Sequence, residues 1–145
     1  MSKDLSVTVN GLKFENPFVI ASGPPGTNKS TVLKAFREGW GGVVAKTVSL
    51  DCSKVHNVAP RYGKLYSRTK PTDVIGFQNI ELISDRPIAD WIKDYKEIKK
   101  ECPKGILIAS IMEEYNKNNW QELVKMCQDA GVDGLRSFRR VRAGK

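Results

Sequence analysis

Residues 17–47 read PFVIASGPPGTNKSTVLKAFREGWGGVVAKT, and the alternation inside this stretch decides the fold class. Residues 17–21 are a short, continuous apolar run, the pattern of a strand covered on both faces. Ser22-Gly23-Pro24-Pro25-Gly26 has to be a loop, because Gly and Pro punctuate regular structure. Ser30 is placed to cap a helix whose stripe is Val32, Leu33, Phe36 and Trp40, with Gly39, Gly41 and Gly42 ending it. Val43-Val44-Ala45 is the next apolar strand and stops at Lys46-Thr47. Strand, helix, strand in so few residues implies a parallel pair joined by a right-handed crossover.

The same alternation continues downstream. Ile88, Trp91, Ile92, Tyr95 and Ile98 form one helical stripe, with Ser84 or Asp85 as its cap and Pro87 in its first turn. Cys102-Pro103-Lys104-Gly105 breaks it, and Ile106-Leu107-Ile108-Ala109 reads as a third strand. Asn119 with Glu122 resembles a capping box for a helix carrying Trp120, Leu123, Val124 and Cys127. Residues 130–135 turn into a fourth strand, which the Arg-rich residues after Leu135 are expected to cut short. Upstream, Leu5 to Val9 alternates with period two, and Asn10-Gly11 then marks a hairpin with Leu12-Lys13-Phe14. Residues 49–80 show no sustained periodicity and read as one long loop, of the kind that is functional or mobile. The expected class is therefore α/β with a parallel sheet, either doubly wound or a barrel. In both, chemistry gathers at the carboxyl ends of the strands, here residues 22–27, 46–51 and 110–115.

The chain has 145 residues, one domain's worth, against about 250 for a closed (β/α)8 barrel. It contains no apolar run near the ~18 residues of a membrane span, and residues 1–10 lack a signal-peptide core. The cytoplasm is the expected compartment. The formal net charge of +8 is concentrated in the last ten residues, which hold Arg136, Arg139, Arg140, Arg142, Lys145 and no acid. The remaining body is only mildly basic, so nucleic-acid binding is expected only as an alternative acting through that tail. Cys52, Cys102 and Cys127 are odd in number and too far apart for a zinc or iron–sulfur site, and His56 has no second ligand at metal-binding spacing.

Two loops compete as sites. Gly23 to Ser30 lies between strand and helix, where a P-loop ATPase would hold its phosphates, and Gly23, Lys29 and Ser30 fit that pattern. Asn28 replaces the second glycine, and residues 106–111 do not end in the aspartate that magnesium binding needs. The second candidate is Lys46-Thr47. If Val44 points inward, Lys46 does too. A buried ammonium there requires an anion or an electron-rich ring, and a reduced flavin presents negative charge at N1 and the C2 carbonyl.

Asn16-Pro17-Phe18 into Ala21-Ser22, then Ala45-Lys46-Thr47, then Phe77-Gln78-Asn79-Ile80-Glu81-Leu82-Ile83-Ser84, then Ile108-Ala109-Ser110-Ile111-Met112 with Tyr115-Asn116-Lys117, form an ordered set. It resembles the dihydroorotate dehydrogenase superfamily, and most closely the flavin-bearing, pyrimidine-reducing domain of the dihydropyrimidine dehydrogenase family. The resemblance covers about residues 4–135. It implies a partial (β/α)8 TIM barrel of about four strands, with an N-terminal β-hairpin (1–16), a half barrel (17–135) and a basic, aberrant tail (136–145). It implies FMN held by Ser22, Lys46 and Thr47, and a pyrimidine base held by Asn79 and Glu81. The implied reaction reduces the 5,6 double bond of uracil or thymine, with dihydroorotate oxidation as the alternative within the superfamily. Iron–sulfur clusters and NAD(P) are implied only on other domains or on an electron-transfer subunit.

The sequence departs from the family after Leu135. Arg136-Ser137-Phe138-Arg139-Arg140-Val141 stands where the family carries an Asn-x-Ser-Cys-Pro block leading to its catalytic cysteine. None of the three cysteines matches that position. The expectation is a fragment that is inactive alone.

Overall fold

The computed structural model describes residues 3–138. Residues 139–145, and with them most of the expected basic tail, lie outside the described residues. Two short strands, β1 (Val7–Val9) and β2 (Leu12–Phe14), pair antiparallel, with Val9 opposite Leu12. Both turn residues take positive φ, 49° at Asn10 and 81° at Gly11, which is why Asn-Gly connects them.

Four parallel strands make the main sheet: β3 (Val19–Ile20), β4 (Gly42–Val44), β7 (Ile106–Met112) and β8 (Gly134–Phe138). Their order in the sheet, β3-β4-β7-β8, is their order in the chain. Three helices make the crossovers: α1 (Lys29–Arg37), α2 (Ile88–Glu101) and α3 (Lys117–Asp129). Leu107, Ala109 and Ile111 alternate along β7 and join Val43 and Ala45 in one core with residues from all three helices. The helices therefore cover a single face, α1 beside α2 and α2 beside α3. A doubly wound sheet reverses direction and covers both faces; a strand order that never reverses, with right-handed crossovers, places every helix on the same side.

That leaves Ile106, Ile108 and Ser110 on the opposite face of β7. The β1–β2 hairpin closes the amino end of the sheet. The Phe14 ring lies so close to Gly42 that an added Cβ would sit 2.8 Å from it, so only glycine fits there. At the same end, Lys99 binds both carboxylate oxygens of Asp133 at 2.7 and 2.9 Å, and Asp133 also accepts the Leu107 amide at 2.8 Å. This clasp ties α2 to the starts of β7 and β8.

Several local expectations change. The first strand is not covered on both faces. It is a two-residue edge strand, with Phe18 at 61% exposure. Asn28, not Ser30, caps α1, accepting the Thr31 amide at 3.0 Å. The helix ends at Arg37, and Gly39 at φ 85° turns the chain away, so Trp40 falls outside the stripe and is exposed. Neither Ser84 nor Asp85 caps α2; its N-cap is Pro87. Asn116, not Asn119, caps α3 through the Asn118 and Asn119 amides. The fourth strand does not stop at Leu135. It runs to Phe138, with Arg136 opposite Ser110, because the long β7 offers backbone partners for all five residues.

Residues 49–80 are not a structureless loop. They hold an antiparallel hairpin of β5 (Tyr62–Tyr66) and β6 (Val74–Asn79), with a bulge between Leu65 and Tyr66. The bulge and the exposure of its apolar residues break the inside–outside alternation that marks a half-buried strand. No helix among the described residues is long and apolar enough to cross a membrane.

Cys127 is fully buried in the core, and burial pushes its thiol up to about 11. The unfolded thiol ionises near 9.0, so this group's stability contribution is constant below pH 9 and is lost as pH rises from 9 to about 11. Thiol-reagent titration at pH 8 should modify Cys52 and Cys102 in the native chain and Cys127 only in denaturant. Fast native labelling of three thiols would contradict this packing.

Candidate functional site

The loop after β3 does not form a phosphate cradle. The amides of Gly23, Gly26 and Thr27 donate to Ala21, Gly23 and Pro24 carbonyls, so they are consumed within the turn. Lys29 points away to an ion pair with Glu97 of α2, which raises its pKa. Ser30 donates to the Asn28 carboxamide at 2.6 Å. The residues that fit the P-loop pattern are thus a helix cap and an interhelical bridge.

The carboxyl ends of β4 and β7 are different. Lys46 follows β4, is 4% exposed, and has the same parity as Val44, on the side away from the helices. Its ammonium lies 3.4 Å from Oε2 of Glu81, and the two side chains are 5% and 8% exposed. Two opposite charges this far out of water persist only when paired and further hydrogen-bonded. The further bond comes from Arg61, whose Nη1 donates to Glu81 Oε1 at 3.0 Å. Arg61 also pairs with Asp85 through Nη2. Asn57 donates to Asp85 and to the Ile83 carbonyl at 2.9 Å, and it accepts the Leu82 amide at 2.7 Å. The Asn57 hydrogen bond and Arg61 hold the Asp85 carboxyl below the usual range.

Thr47 shares a 2.8 Å hydrogen bond with Ser110, both hydroxyls being buried. Its carbonyl accepts the Ser84 amide at 2.7 Å, which fixes the segment after β6 against β4. Asn79 accepts the Glu81 amide at 2.9 Å, so the two expected substrate residues are locked to each other. Ser49 is buried and its hydroxyl has no hydrogen-bond partner.

Ser22, just past β3, accepts a hydrogen bond from Arg136 of β8 at 2.8 Å. β3 and β8 are the two outer strands of the sheet, which in a flat sheet lie roughly 14 Å apart. Since Arg136 is opposite Ser110, both lie on the helix-free face. Arg136 reaches Ser22 across that face, over the ends of β4 and β7. An open hollow of about 460 Å³ lies at the ends of β7 and β8, lined by Tyr115, Asn116, Lys117, Trp120 and Ser137.

The structure thus joins Lys46, Glu81 and Asn79 into one cluster, with Thr47 beside it and Ser22 at the end of the neighbouring strand. Sequence reasoning missed Arg61, Asp85 and Asn57. Their one available signal was the need of a buried Glu81 for more than a single cation.

Sequence comparison finds similarity to proteins named as dehydrogenases. It is 62% identical over 135 residues to the chloroplastic dihydropyrimidine dehydrogenase (NADP(+)) of Arabidopsis thaliana, covering 91% of this chain and 32% of that protein. It is 40% identical over 133 residues to the NAD-dependent dihydropyrimidine dehydrogenase subunit PreA of Escherichia coli K12, covering 92% of this chain and 31% of that subunit. A shorter match of 50 residues, at 40% identity, joins it to the dihydroorotate dehydrogenase B (NAD(+)) catalytic subunit of Pyrococcus abyssi. No family model matches the chain. Over nine-tenths of its length, then, the chain is a homologue of dihydropyrimidine dehydrogenases. It spans about a third of the length of those relatives.

Proposed function

We propose that this chain is part of a flavin-dependent reductase of pyrimidine bases, with FMN on Ser22, Lys46 and Thr47 and the base on Asn79 and Glu81. The observation that carries the reading is the Lys46–Glu81 pair, buried at the carboxyl rim of a parallel sheet. Strand order, one-sided helices and the reach of Arg136 to Ser22 support an arc of a (β/α)8 barrel, whose helix-free face is its interior. The residues fit a flavin. Lys46 supplies a desolvated cation for the N1 and C2 edge, and the unpartnered Ser49 hydroxyl is a spare donor in the same segment.

Bound FMN would supply the hydride that reduces the 5,6 double bond of uracil or thymine. Glu81 offers acceptor oxygens to a ring N–H, and Asn79 offers both a donor and an acceptor, which suits the alternating edge of a uracil. The proton donor is not among Cys52, Cys102 and Cys127. Cys127 is sealed in the core, Cys102 lies at the end of α2, and Cys52, whose Sγ donates to the Asp85 carbonyl, does not match the family's cysteine position. In this reading, proton donation, iron–sulfur electron transfer and NAD(P)H oxidation fall to other polypeptide.

The test is an FMN titration of the purified chain, followed by flavin fluorescence, with the wild type and Lys46→Ala side by side. Binding that weakens about tenfold in the variant is expected for the loss of one charge-assisted contact. Equal affinity in the two proteins, or no binding by the folded wild type, would refute the assignment of Lys46.

A further inference from the structure

The charged cluster holds two cations, Lys46 and Arg61, and two carboxylates, Glu81 and Asp85. Glu81 is shared between Lys46 and Arg61, and the second arm of Arg61 is taken by Asp85. Asp85 is itself held by Asn57, whose other bonds fix the backbone at Leu82 and Ile83. The Arg61 side chain is 40% exposed, so its guanidinium lies within reach of a solute approaching the rim. A guanidinium free in that place would pair through two hydrogen bonds with a carboxylate on the pyrimidine ring.

We propose that Asp85 is a positioning residue that sets substrate class: it holds Arg61 against Glu81 and so withholds the guanidinium from any carboxylate on the ring. The rim beside Asn79 and Glu81 then takes a neutral pyrimidine such as uracil and rejects an anionic one such as orotate, whose carboxylate the Glu81 and Asp85 carboxylates would repel. Discrimination of this kind rests on what the site denies the wrong ligand as much as on what it gives the right one. The inference rests on the reading of Asn79 and Glu81 as the pyrimidine site.

The experiment is calorimetric titration of the FMN-supplemented 145-residue chain with uracil and with orotate. Wild type should bind orotate at least about tenfold more weakly than uracil. Asp85→Asn frees Arg61 and should close that gap by about tenfold, read as the ratio of orotate to uracil affinity so that any change common to both ligands cancels; Asp85→Glu should restore the gap. Adding Arg61→Gln to Asp85→Asn should remove the gained orotate binding. The Asp85 side chain is 56% exposed, so Asp85→Asn is expected to fold, and its thermal midpoint checks this. If uracil binds but the ratio is the same in Asp85→Asn, the proposal is wrong and the pocket reading survives. Wild type binding orotate as tightly as uracil overturns it too. If neither ligand binds the folded wild type, the pocket reading fails and takes the proposal with it.

Discussion

Replacing Trp91 with alanine lowers the unfolding free energy by about 4 kcal/mol, the scale found for large aromatic side chains lost from cores. Trp91 is 0% exposed and sits on the face of α2 that meets the sheet. Its ring packs against Tyr95 at 5.5 Å between centroids, and the Arg86 guanidinium lies 4.9 Å from its own centroid. Its Nε1 donates to the Ser84 hydroxyl at 2.8 Å. The substitution therefore opens a cavity, removes a cation–π contact and leaves a buried hydroxyl short of a donor. Set against the 5–15 kcal/mol typical of a whole domain, roughly 4 kcal/mol is a large share. Urea unfolding followed by far-UV circular dichroism measures it, since the tryptophan signal itself changes. Trp91→Phe keeps much of the packing and should lose about half as much. Trp40→Ala, at an exposed site, should stay within about 0.5 kcal/mol. A shift below about 1 kcal/mol for Trp91→Ala would show that α2 does not pack as described.

The contrast between Trp91 and Trp40 shows what was legible in the sequence. Where apolar residues recur over about two turns, as at Trp91, Tyr95 and Ile98, the spacing alone identifies the buried face. Near a helix end it does not. Gly39 redirects the chain one residue before Trp40, and a stripe counted by period runs on past the point where the helix has stopped. Burial of strands followed the same limit. The apolar run at residues 17–21 has the composition of an interior strand, but among the described residues β3 pairs on one side only, with β4. The hairpin of β5 and β6 was illegible for a related reason. Its strands pair mainly with each other, leaving Tyr62, Leu65, Ile75 and Phe77 exposed, so no burial pattern was imposed on them.

At the candidate site the division is sharper. Strand ends can be read from where apolar runs stop, which is why Lys46-Thr47 and Ser22 could be placed at the rim; their assignment to FMN came from resemblance. Asn79 and Glu81 came from resemblance, not periodicity. What holds Glu81 was hidden, because Arg61 lies 20 residues before it and meets it only through the tertiary fold, and Asp85 acts on it only through Arg61.

Glu81→Gln should destabilise the chain by about 3 kcal/mol, because it leaves the Lys46 ammonium buried without its counter-charge. Lys46→Met should cost a similar amount by stranding the carboxylate, reduced by whatever Arg61 continues to supply. The double variant, Lys46→Met with Glu81→Gln, removes both charges and should recover most of the loss, since a buried pair gains little over neutral groups of similar volume. Urea unfolding of all four proteins closes this cycle, and recovery in the double variant requires a coupling close to the sum of the two single losses, about 4 kcal/mol or more. If each single variant changes stability by less than about 1 kcal/mol, the two charges are not buried together. The same four proteins separate stability from ligand binding. A pair that adds little to folding over its neutral replacement is retained for another reason. If the double variant is as stable as the wild type and binds FMN at least about tenfold more weakly, that reason is the ligand. If it binds FMN as well as the wild type does, the buried pair serves neither stability nor flavin, and the rim of β4 is not the flavin site.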